Sequence, residues 1–382
     1  MIKPSKQVKP SKASKVPRKE RMSKASRPAE ETKPNNKAKL ASLVAKLNKT
    51  FGSNAVILGV SEKEESYKRE FIPTGILQLD TDLGGGIAVG RYTEISGKES
   101  STKTTLSLHV LANAQKMGYI CALIDVEGTS GDKDYLEACG VDVDSLLYVR
   151  PTSLEEVGGI IDTLQTEGVC KFAVYDSIAM SMATKTELDT QFGDSYRMGI
   201  PQSELGSIFR RFQMANNRYF RTGETPFTLI AINQLREKIG AYGDSEYTPG
   251  GRSKDFMSSC NIRLRQGDWI KEGQNVVGQV VKYKVTKNKL YKRNRSGEVD
   301  FYFDDNSAGV EKLNYDVLKD TVIVALGMNV IVRGGAWFSY KDKFKLQGVN
   351  SVVEELRNNE ALLKEIQQEV MKIVKKTHEG KE

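Results

Sequence analysis

The chain has 382 residues, of which 28% are charged, and its formal net charge at pH 7 is +8. A chain of this length can form two or three domains with a buried core. No apolar run reaches the roughly 20 residues of a membrane-spanning helix, which predicts a soluble protein without membrane contact. The four cysteines lack C-x-x-C spacing and only two histidines are present, so we expect no structural zinc and a reduced, cytoplasmic protein.

The positive charge is concentrated in the first 40 residues, which hold ten lysines and three arginines against three glutamates. Their net charge is +10, so the other 342 residues sum to −2. Residues 1–36 are rich in proline and serine and poor in large apolar side chains, which predicts a disordered basic tail. Such a tail could attract nucleic-acid phosphates, could only increase solubility, or could be a targeting segment, and the sequence leaves these alternatives open.

The apolar pattern of residues 37–70 predicts a separate helix and strand. The apolar side chains repeat at the spacing of one helix face: Leu40, Leu43, Val44, Leu47 and Phe51. The short apolar run at 55–58 is typical of a strand. These two elements must pack on their own domain or on a neighbouring subunit, and the pattern alone does not choose.

Beyond residue 70, apolar strands alternate with helices. The predicted strands are 92–96, 120–125, 146–149, 172–176 and 228–234, and the predicted helices are 103–117, 132–139, 153–166 and 203–220. Continuous apolar strands separated by helices indicate an α/β fold with a mostly parallel twisted sheet, covered on both faces. Ligands of such sheets bind at the carboxyl ends of the strands. We assign residues 71–308 to this core and residues 309–382 to a small α/β C-terminal domain.

A candidate phosphate-binding loop, Gly97–Thr105, joins the strand at 92–96 to the helix that follows. Its sequence departs from the pattern G-x-x-x-x-G-K-[ST] at one position, because Thr102 replaces the second glycine. Backbone N–H groups of such a loop surround phosphates. Lys103 is then expected to contact the β- and γ-phosphates, and the Thr104 hydroxyl to bind Mg²⁺.

Three polar side chains follow apolar strands at the same edge of the predicted sheet. Asp176 is a candidate for holding Mg²⁺ through water. Glu127 could polarise a water for attack on the γ-phosphate, and Gln234 could contact that phosphate. The alternatives are a loop cap for Asp176 and a surface acid for Glu127. The glycine-rich segment 235–251 is too long for a simple connection, and its Arg236, Lys238 and Tyr242 suit single-stranded DNA.

Together, these motifs resemble those of the bacterial-type RecA recombinases from about residue 38 to about 375. The segments that carry the resemblance are Gly97–Thr105, 124–127, 135–144, 175–177, 193–195, 232–236, 250–251, 285–289 and 335–340. The resemblance implies a RecA-like P-loop core with an N-terminal oligomerisation element. It also implies an ATP-dependent DNA recombination and repair protein that forms a helical filament on single-stranded DNA and exchanges strands with homologous duplex.

The resemblance further implies an ATP site between adjacent subunits, with Mg²⁺ bound. The implied nucleotide-binding residues are Gly97, Glu99, Ser100, Ser101, Thr102, Lys103, Thr104, Thr105, Tyr135 and Asp176. Among them Tyr135 would stack on adenine, while Glu127 would activate water. Gln234 would sense the γ-phosphate, and Lys287 and Lys289 would reach the ATP of the neighbouring subunit.

DNA-binding and interface residues follow from the same resemblance. The implied DNA-binding residues are Met198 in a first loop at 187–201, Arg210, and Arg236, Lys238, Tyr242, Gly250 and Gly251 in or beside a second loop at 234–251. The helix and strand of 37–70 would dock on the next subunit, and Phe256 would lie in the subunit interface. We expect a cytoplasmic, nucleoid-associated protein.

This sequence also departs from the family pattern. Thr102 replaces a glycine, Asp255 stands where a basic interface residue is frequent, and the acidic tail of many relatives is missing. These departures suggest a phage or mobile-element member with weaker autoinhibition. They leave two alternatives open, a DNA-coating filament with crippled ATP hydrolysis and a RecA-fold ATPase or helicase-type motor without strand exchange.

Overall fold

A computed structural model describes residues 33–52, 55–56, 69–181, 200–237 and 246–378. It divides into two compact units, Met1–Gly59 and Val60–Glu382. Most of the predicted basic tail and of the first DNA-binding loop, including Met198, lies outside the described residues. So do Lys238 and Tyr242 of the second loop.

The described part of the N-terminal unit is a single helix followed by a bend. Helix α1 (Lys33–Phe51) begins four residues before the predicted start of order at residue 37. Pro34 lies in its first turn, where its missing N–H group breaks no helical hydrogen bond. The Asn48 side chain accepts a hydrogen bond from the Val56 N–H at 2.7 Å. Ala55 and Val56 form this bend rather than the start of the predicted strand, and residues 57–58 lie outside the described part.

In its described part, the larger unit contains sixteen strands, nine α-helices and a short 3-10 helix, Ile178–Met180. The strands are β1 (Phe71–Ile72), β2 (Ile87–Ala88), β3 (Tyr92–Gly97), β4 (Ile120–Asp125), β5 (Leu146–Val149), β6 (Cys170–Asp176), β7 (Thr228–Gln234), β8 (Arg236–Glu237), β9 (Glu246–Tyr247), β10 (Cys260–Glu272), β11 (Asn275–Asn288), β12 (Arg295–Tyr302), β13 (Asn314–Tyr315), β14 (Val332–Gly334), β15 (Trp337–Tyr340) and β16 (Phe344–Gln347). The helices are α2 (Leu77–Leu83), α3 (Lys103–Lys116), α4 (Lys133–Ala138), α5 (Leu154–Glu167), α6 (Ile200–Thr222), α7 (Gly251–Met257), α8 (Val317–Gly327), α9 (Val349–Asn358) and α10 (Glu360–His378).

The largest sheet of the described residues has nine strands in the order β13-β12-β11-β10-β3-β7-β6-β4-β5. The six strands from β10 to β5 run parallel to one another. The other three extend the sheet in antiparallel fashion. The predicted α/β fold with a mostly parallel sheet is confirmed, whereas the antiparallel extension was not foreseen.

Helices cover both faces of the parallel strands, as β7 shows. Ile230 and Ile232 belong to the core cluster that contains α3, while Leu229 and Ala231 belong to the cluster that contains α5 and α6. Successive strand residues point to opposite faces, so a strand that is buried on both must be apolar throughout. The carboxyl ends of β3, β4, β6 and β7 therefore meet at one edge, beside the start of α3.

The C-terminal part packs α8, α9 and α10 against the three-stranded sheet β14-β15-β16. Its apolar core includes Phe338, Val352 and Ile366, and Leu77 of α2 joins it. This matches the small α/β element expected there, although the boundary at residue 309 stays a prediction. Among the described residues, no helix is both long and apolar enough to cross a membrane.

Candidate nucleotide-binding site

The predicted phosphate loop lies between β3 and α3 and is tightly folded. A Cβ atom on Gly97 would lie 2.7 Å from the Leu264 carbonyl oxygen, so only glycine fits there. The Ser101 hydroxyl donates to the Lys98 carbonyl at 2.7 Å. Ser100 and Thr102 have φ angles of 58° and 61°, in the left-handed region. Left-handed residues in such a turn direct neighbouring N–H groups towards one concave side, which favours anions.

Lys103, the first residue of α3, bridges the loop. Its Nζ donates to the Lys98 carbonyl at 2.6 Å. Burial lowers the pKa of Lys103, and the nearby carboxylates of Asp176, Glu127 and Glu99 oppose that shift. The structure therefore brings four of the predicted site residues into one electrostatic neighbourhood.

Asp176, the last residue of β6, forms the acidic centre of the site. Its Oδ2 accepts hydrogen bonds from Thr104 Oγ1 at 2.9 Å and from Ser130 Oγ at 2.8 Å. Burial raises the pKa of Asp176 to about 6, against the lowering effect of these two hydroxyls. The neighbouring hydroxyl and carboxylate oxygens are the kind of ligand that hydrated Mg²⁺ prefers. Sequence reasoning found Thr104 and Asp176 but missed Ser130.

Glu127 lies in a turn that the Asp125 carboxylate stabilises. The Glu127 Oε1 atom accepts a hydrogen bond from Ser177 Oγ at 2.6 Å. Asp125, two residues earlier, accepts from the N–H groups of Gly128 and Ser130 at 2.8 and 2.9 Å. These contacts fix the backbone on both sides of Glu127 and direct its carboxylate towards the end of β6.

Tyr135 lies in α4, beside the first turn of α3. Its N–H group donates to the Asp132 side chain at 2.9 Å, which caps the start of α4. The Tyr135 and Thr105 hydroxyls are 2.8 Å apart and hydrogen-bonded. Burial raises the pKa of Tyr135 to about 12, so the phenol stays protonated at neutral pH. The predicted adenine-stacking side chain is thus next to the phosphate loop.

A buried ion pair connects β3 to α7 beside the end of β7. We call it the Lys254 network; its members are Glu94, Asn233, Thr248, Pro249 and Lys254. Lys254 Nζ donates to both carboxylate oxygens of Glu94 at 3.0 Å and to Thr248 Oγ1 at 2.6 Å. The Asn233 amide donates to Glu94 Oε1 and to the Pro249 carbonyl, both at 3.0 Å. Sequence reasoning missed this network, although a glutamate inside an otherwise buried strand was a signal for it.

Gln234 directly follows Asn233 of this network, and its N–H group donates to the Asn233 side chain at 3.0 Å. It is the last residue of β7 and is paired with Gly97, the first residue of the phosphate loop. The Lys254 network therefore joins the strand before the phosphate loop, the strand that ends in Gln234, and the end of the predicted second DNA-binding loop.

The described ends of that second loop form a small hairpin stem. Arg236 of β8 is exposed and pairs with Tyr247 of β9. Gly250 and Gly251, which we predicted to bind DNA, have φ angles of 98° and 74° and form the turn into α7. Their geometry explains the need for glycine without DNA, so their DNA contact stays a prediction. Arg210 is exposed on α6.

Lys287 and Lys289 lie at the end of β11, beside α7. Their amines donate to the backbone carbonyls of Asp255 and Phe256, the second at 2.7 Å. Burial lowers the pKa of both lysines, and Lys289 further lowers that of Lys287. The Phe256 side chain is 74% exposed. The structure thus groups the lysine pair with the predicted interface residue.

The sheet, the loop before α3 and the polar side chains at the strand ends define an α/β protein with its ligand site at the carboxyl edge of parallel strands. The chain belongs to the RecA family: the RecA N-terminal domain matches residues 38–308, and the RecA C-terminal domain matches residues 320–375. The resemblance inferred from the motifs is therefore confirmed, and members of this family act in DNA recombination and repair.

Curated relatives match along most of the chain. Protein RecA of Symbiobacterium thermophilum is 35% identical over 333 residues, which cover 86% of this chain and 89% of the relative. Protein RecA of Fusobacterium nucleatum is 37% identical over 335 residues, covering 87% and 84%. Protein RecA of Chlamydia trachomatis is 35% identical over 345 residues, covering 89% and 92%.

Proposed function

We propose that this protein is an ATP-dependent DNA recombinase. It forms a helical filament on single-stranded DNA, exchanges strands with homologous duplex and hydrolyses ATP when DNA is bound. The observation that carries this proposal is the convergence of Lys103, Thr104, Glu127 and Asp176 at one sheet edge in a chain of the RecA family. DNA stimulation and strand exchange are inferred from the family.

The residues present fit a magnesium nucleotide. Because Gly97 has no side chain, the start of the loop can pack closely against the Leu264 backbone. Thr104 and Asp176 supply oxygen ligands. Bound Mg²⁺ would neutralise charge on the β- and γ-phosphates. The loop N–H groups and the Lys103 amine would bind the phosphates, and Thr104 and Asp176 would hold the hydrated metal ion. Glu127, oriented by Ser177, accepts a proton from the attacking water.

Assembly would complete this site. Lys287 and Lys289 reach the γ-phosphate of the neighbouring subunit, and the 37–70 element and Phe256 form the contact between subunits. A cation supplied by a neighbour makes hydrolysis depend on filament formation, because transition-state charge is neutralised only across the interface. In the single chain both amines are bound to carbonyls of α7, so assembly must exchange those hydrogen bonds.

DNA would bind along the two loops. Met198 in the first loop wedges between bases, while Arg236, Lys238 and Tyr242 of the second loop contact phosphates and stack on bases. Arg210 and the basic tail add phosphate contacts. Deleting residues 1–36 should lower the salt dependence of DNA binding if the tail contacts phosphates. An unchanged slope would assign the tail to solubility or targeting.

Mixed filaments test the shared site directly. Lys103→Ala lacks its own phosphate contact but keeps the lysine pair, whereas a Lys287→Ala/Lys289→Ala variant has the reverse defect. Each protein alone should be inactive in DNA-stimulated ATPase and strand-exchange assays. A mixture of the two should regain activity at interfaces that combine intact halves. Failure of every mixture, with both proteins still binding DNA, would overturn the assignment of the lysines to the neighbour's site.

A second candidate function is a DNA-coating filament with little hydrolysis. The left-handed backbone of Thr102, a β-branched residue, favours it, since strain there can displace the phosphate cradle. ATPase and strand exchange measured on the same preparation separate the two. Filaments or exchange without turnover would support the coating function, and closed rings that unwind duplex would contradict both.

A further inference from the structure

Thr102 occupies a backbone conformation that its side chain disfavours. Its φ and ψ angles are 61° and 25°, and it is the residue immediately before α3. Left-handed geometry is open to glycine, but a Cβ atom clashes with the backbone there, and a β-branched side chain makes the conformation rarer still. A residue persists in such a conformation only where surrounding contacts hold it.

One such contact comes from a distant part of the chain. The Tyr315 hydroxyl donates a hydrogen bond to Thr102 Oγ1 at 3.2 Å, although 213 residues separate them. Tyr315 lies on β13, at the edge of the large sheet, and is 4% exposed. Glycine at position 102 would offer no acceptor to this phenol. The contact therefore exists only because the loop contains threonine.

The tyrosine is itself held firmly. Its ring packs against Phe301, with ring centroids 5.1 Å apart, and against His109 of α3 at 5.4 Å. The His109 ring is hydrogen-bonded through Nε2 to the Leu313 carbonyl at 2.9 Å. Burial raises the pKa of Tyr315, so the phenol keeps the proton that it donates. A rigid donor is thus anchored both to the sheet and to the helix that follows the loop.

We propose that Tyr315 is a positioning residue for the phosphate loop, whose hydroxyl holds Thr102 in the left-handed conformation that glycine would adopt unaided. The inference rests on the proposed ATP site and identifies what keeps that site formed without the second glycine. Gln279 contacts the other left-handed residue of the loop: its side-chain amide donates to the Ser100 carbonyl at 3.1 Å. Strands β11 and β13 thus each contribute one side chain to the loop.

A double-mutant cycle tests the coupling. The proteins are the natural chain, Tyr315→Phe, Thr102→Gly and the double variant. The readouts are Mg²⁺-dependent binding of a fluorescent, slowly hydrolysed ATP analogue and the KM and kcat of DNA-stimulated ATPase. Loss of one neutral hydrogen bond changes an equilibrium constant about five-fold. With Thr102 present, Tyr315→Phe should weaken analogue binding by about that factor and raise KM more than it lowers kcat. In the Thr102→Gly background the same substitution should have no effect.

Two controls separate positioning from general destabilisation. Tyr302→Phe removes another buried tyrosine hydroxyl, on the neighbouring strand β12, and should leave analogue binding unchanged. Thr102→Ser keeps a hydroxyl acceptor and should keep the sensitivity to Tyr315→Phe. Thermal unfolding of each variant checks that the fold is intact.

The outcomes distinguish this inference from the proposed function. The positioning role is overturned if the natural chain binds the analogue but Tyr315→Phe has the same effect with Thr102 as with glycine at that position. It is also overturned if Tyr315→Phe has no effect when Thr102 is present. If the natural chain binds no analogue at all, the proposed ATP site fails and this inference fails with it.

Discussion

Replacing Lys254 with methionine tests whether the buried Lys254 network holds the strand before the predicted phosphate loop to the end of the predicted second DNA-binding loop. Methionine keeps the volume and flexibility of the lysine stem but removes its ammonium group. The Glu94 carboxylate, 1% exposed, would then remain buried with only the Tyr92 hydroxyl and the Asn233 amide as hydrogen-bond donors.

The expected loss of stability is large. Removing one partner of a buried ion pair leaves an uncompensated charge and typically destabilises a protein by about 3–5 kcal/mol. Total stabilities of folded domains are about 5–15 kcal/mol, so the loss is a substantial share of the whole. The double variant Glu94→Gln/Lys254→Met buries no charge and should be more stable than Lys254→Met alone.

Urea denaturation followed by circular dichroism measures these differences, because urea does not screen charges as guanidinium does. Lys312→Met is the matched control: the same chemical change is made in an ion pair on the surface, where the lysine side chain is 53% exposed. We expect the control to unfold at the same urea concentration as the natural chain. If Lys254→Met unfolds together with the control, or if the double variant is no more stable than the single one, the network is not what stabilises this region.

Three further substitutions test other parts of the structure. Burial raises the pKa of Asp80 from 3.8 to about 8. The stability that the protonated Asp80 carboxyl contributes is therefore full below pH 3.8 and is lost as pH rises through about 8. Asp80→Asn should weaken this pH dependence of stability in thermal unfolding scans. Ser130→Ala removes a hydroxyl from Asp176 and should raise the Mg²⁺ concentration needed for half-maximal ATPase about five-fold, with an unchanged requirement counting against a role in the metal site. Gly97→Ala places a Cβ 2.7 Å from the Leu264 carbonyl and should abolish nucleotide binding while the circular dichroism stays native; normal binding would show that the loop can shift.

The parallel half of the fold could be predicted because burial on both faces leaves a simple pattern. Strands β4, β5 and β7 have the predicted bounds, since each is an unbroken run of mainly apolar residues between turns. The antiparallel half has no such pattern. Strand β10 is buried at Ile262 and Leu264 but largely exposed beyond them, and its pairing with β11 contains register shifts. Each shift moves later side chains to the other face, which removes the alternation that would indicate a strand.

Some residues of the candidate site could likewise be predicted from the sequence, and others could not. Lys103, Thr104 and Asp176 could be predicted because the chemistry of phosphate binding ties residue type to short spacing and to strand ends. Ser130 and Tyr315 could not, because their roles depend on which side chains packing brings together. A serine in a turn and a tyrosine near a strand edge have many ordinary positions, and only the folded chain places their hydroxyls on Asp176 and Thr102.

Helix α7 connects the parts of the proposed function. Gly250 begins the turn into it at the end of the predicted second DNA-binding loop, and Lys254 in its middle is paired with Glu94 of β3. Carbonyls near its end accept hydrogen bonds from Lys287 and Lys289. Because α7 has only seven residues and its central Lys254 is fully buried, we expect it to move as one unit. Under the proposed function, a DNA-driven movement of the loop must therefore break the buried ion pair or move the whole helix, and the latter displaces the carbonyls that hold the lysine pair. Binding of DNA and release of the lysines towards a neighbouring subunit then become one linked step, which requires no separate signalling route through the sheet.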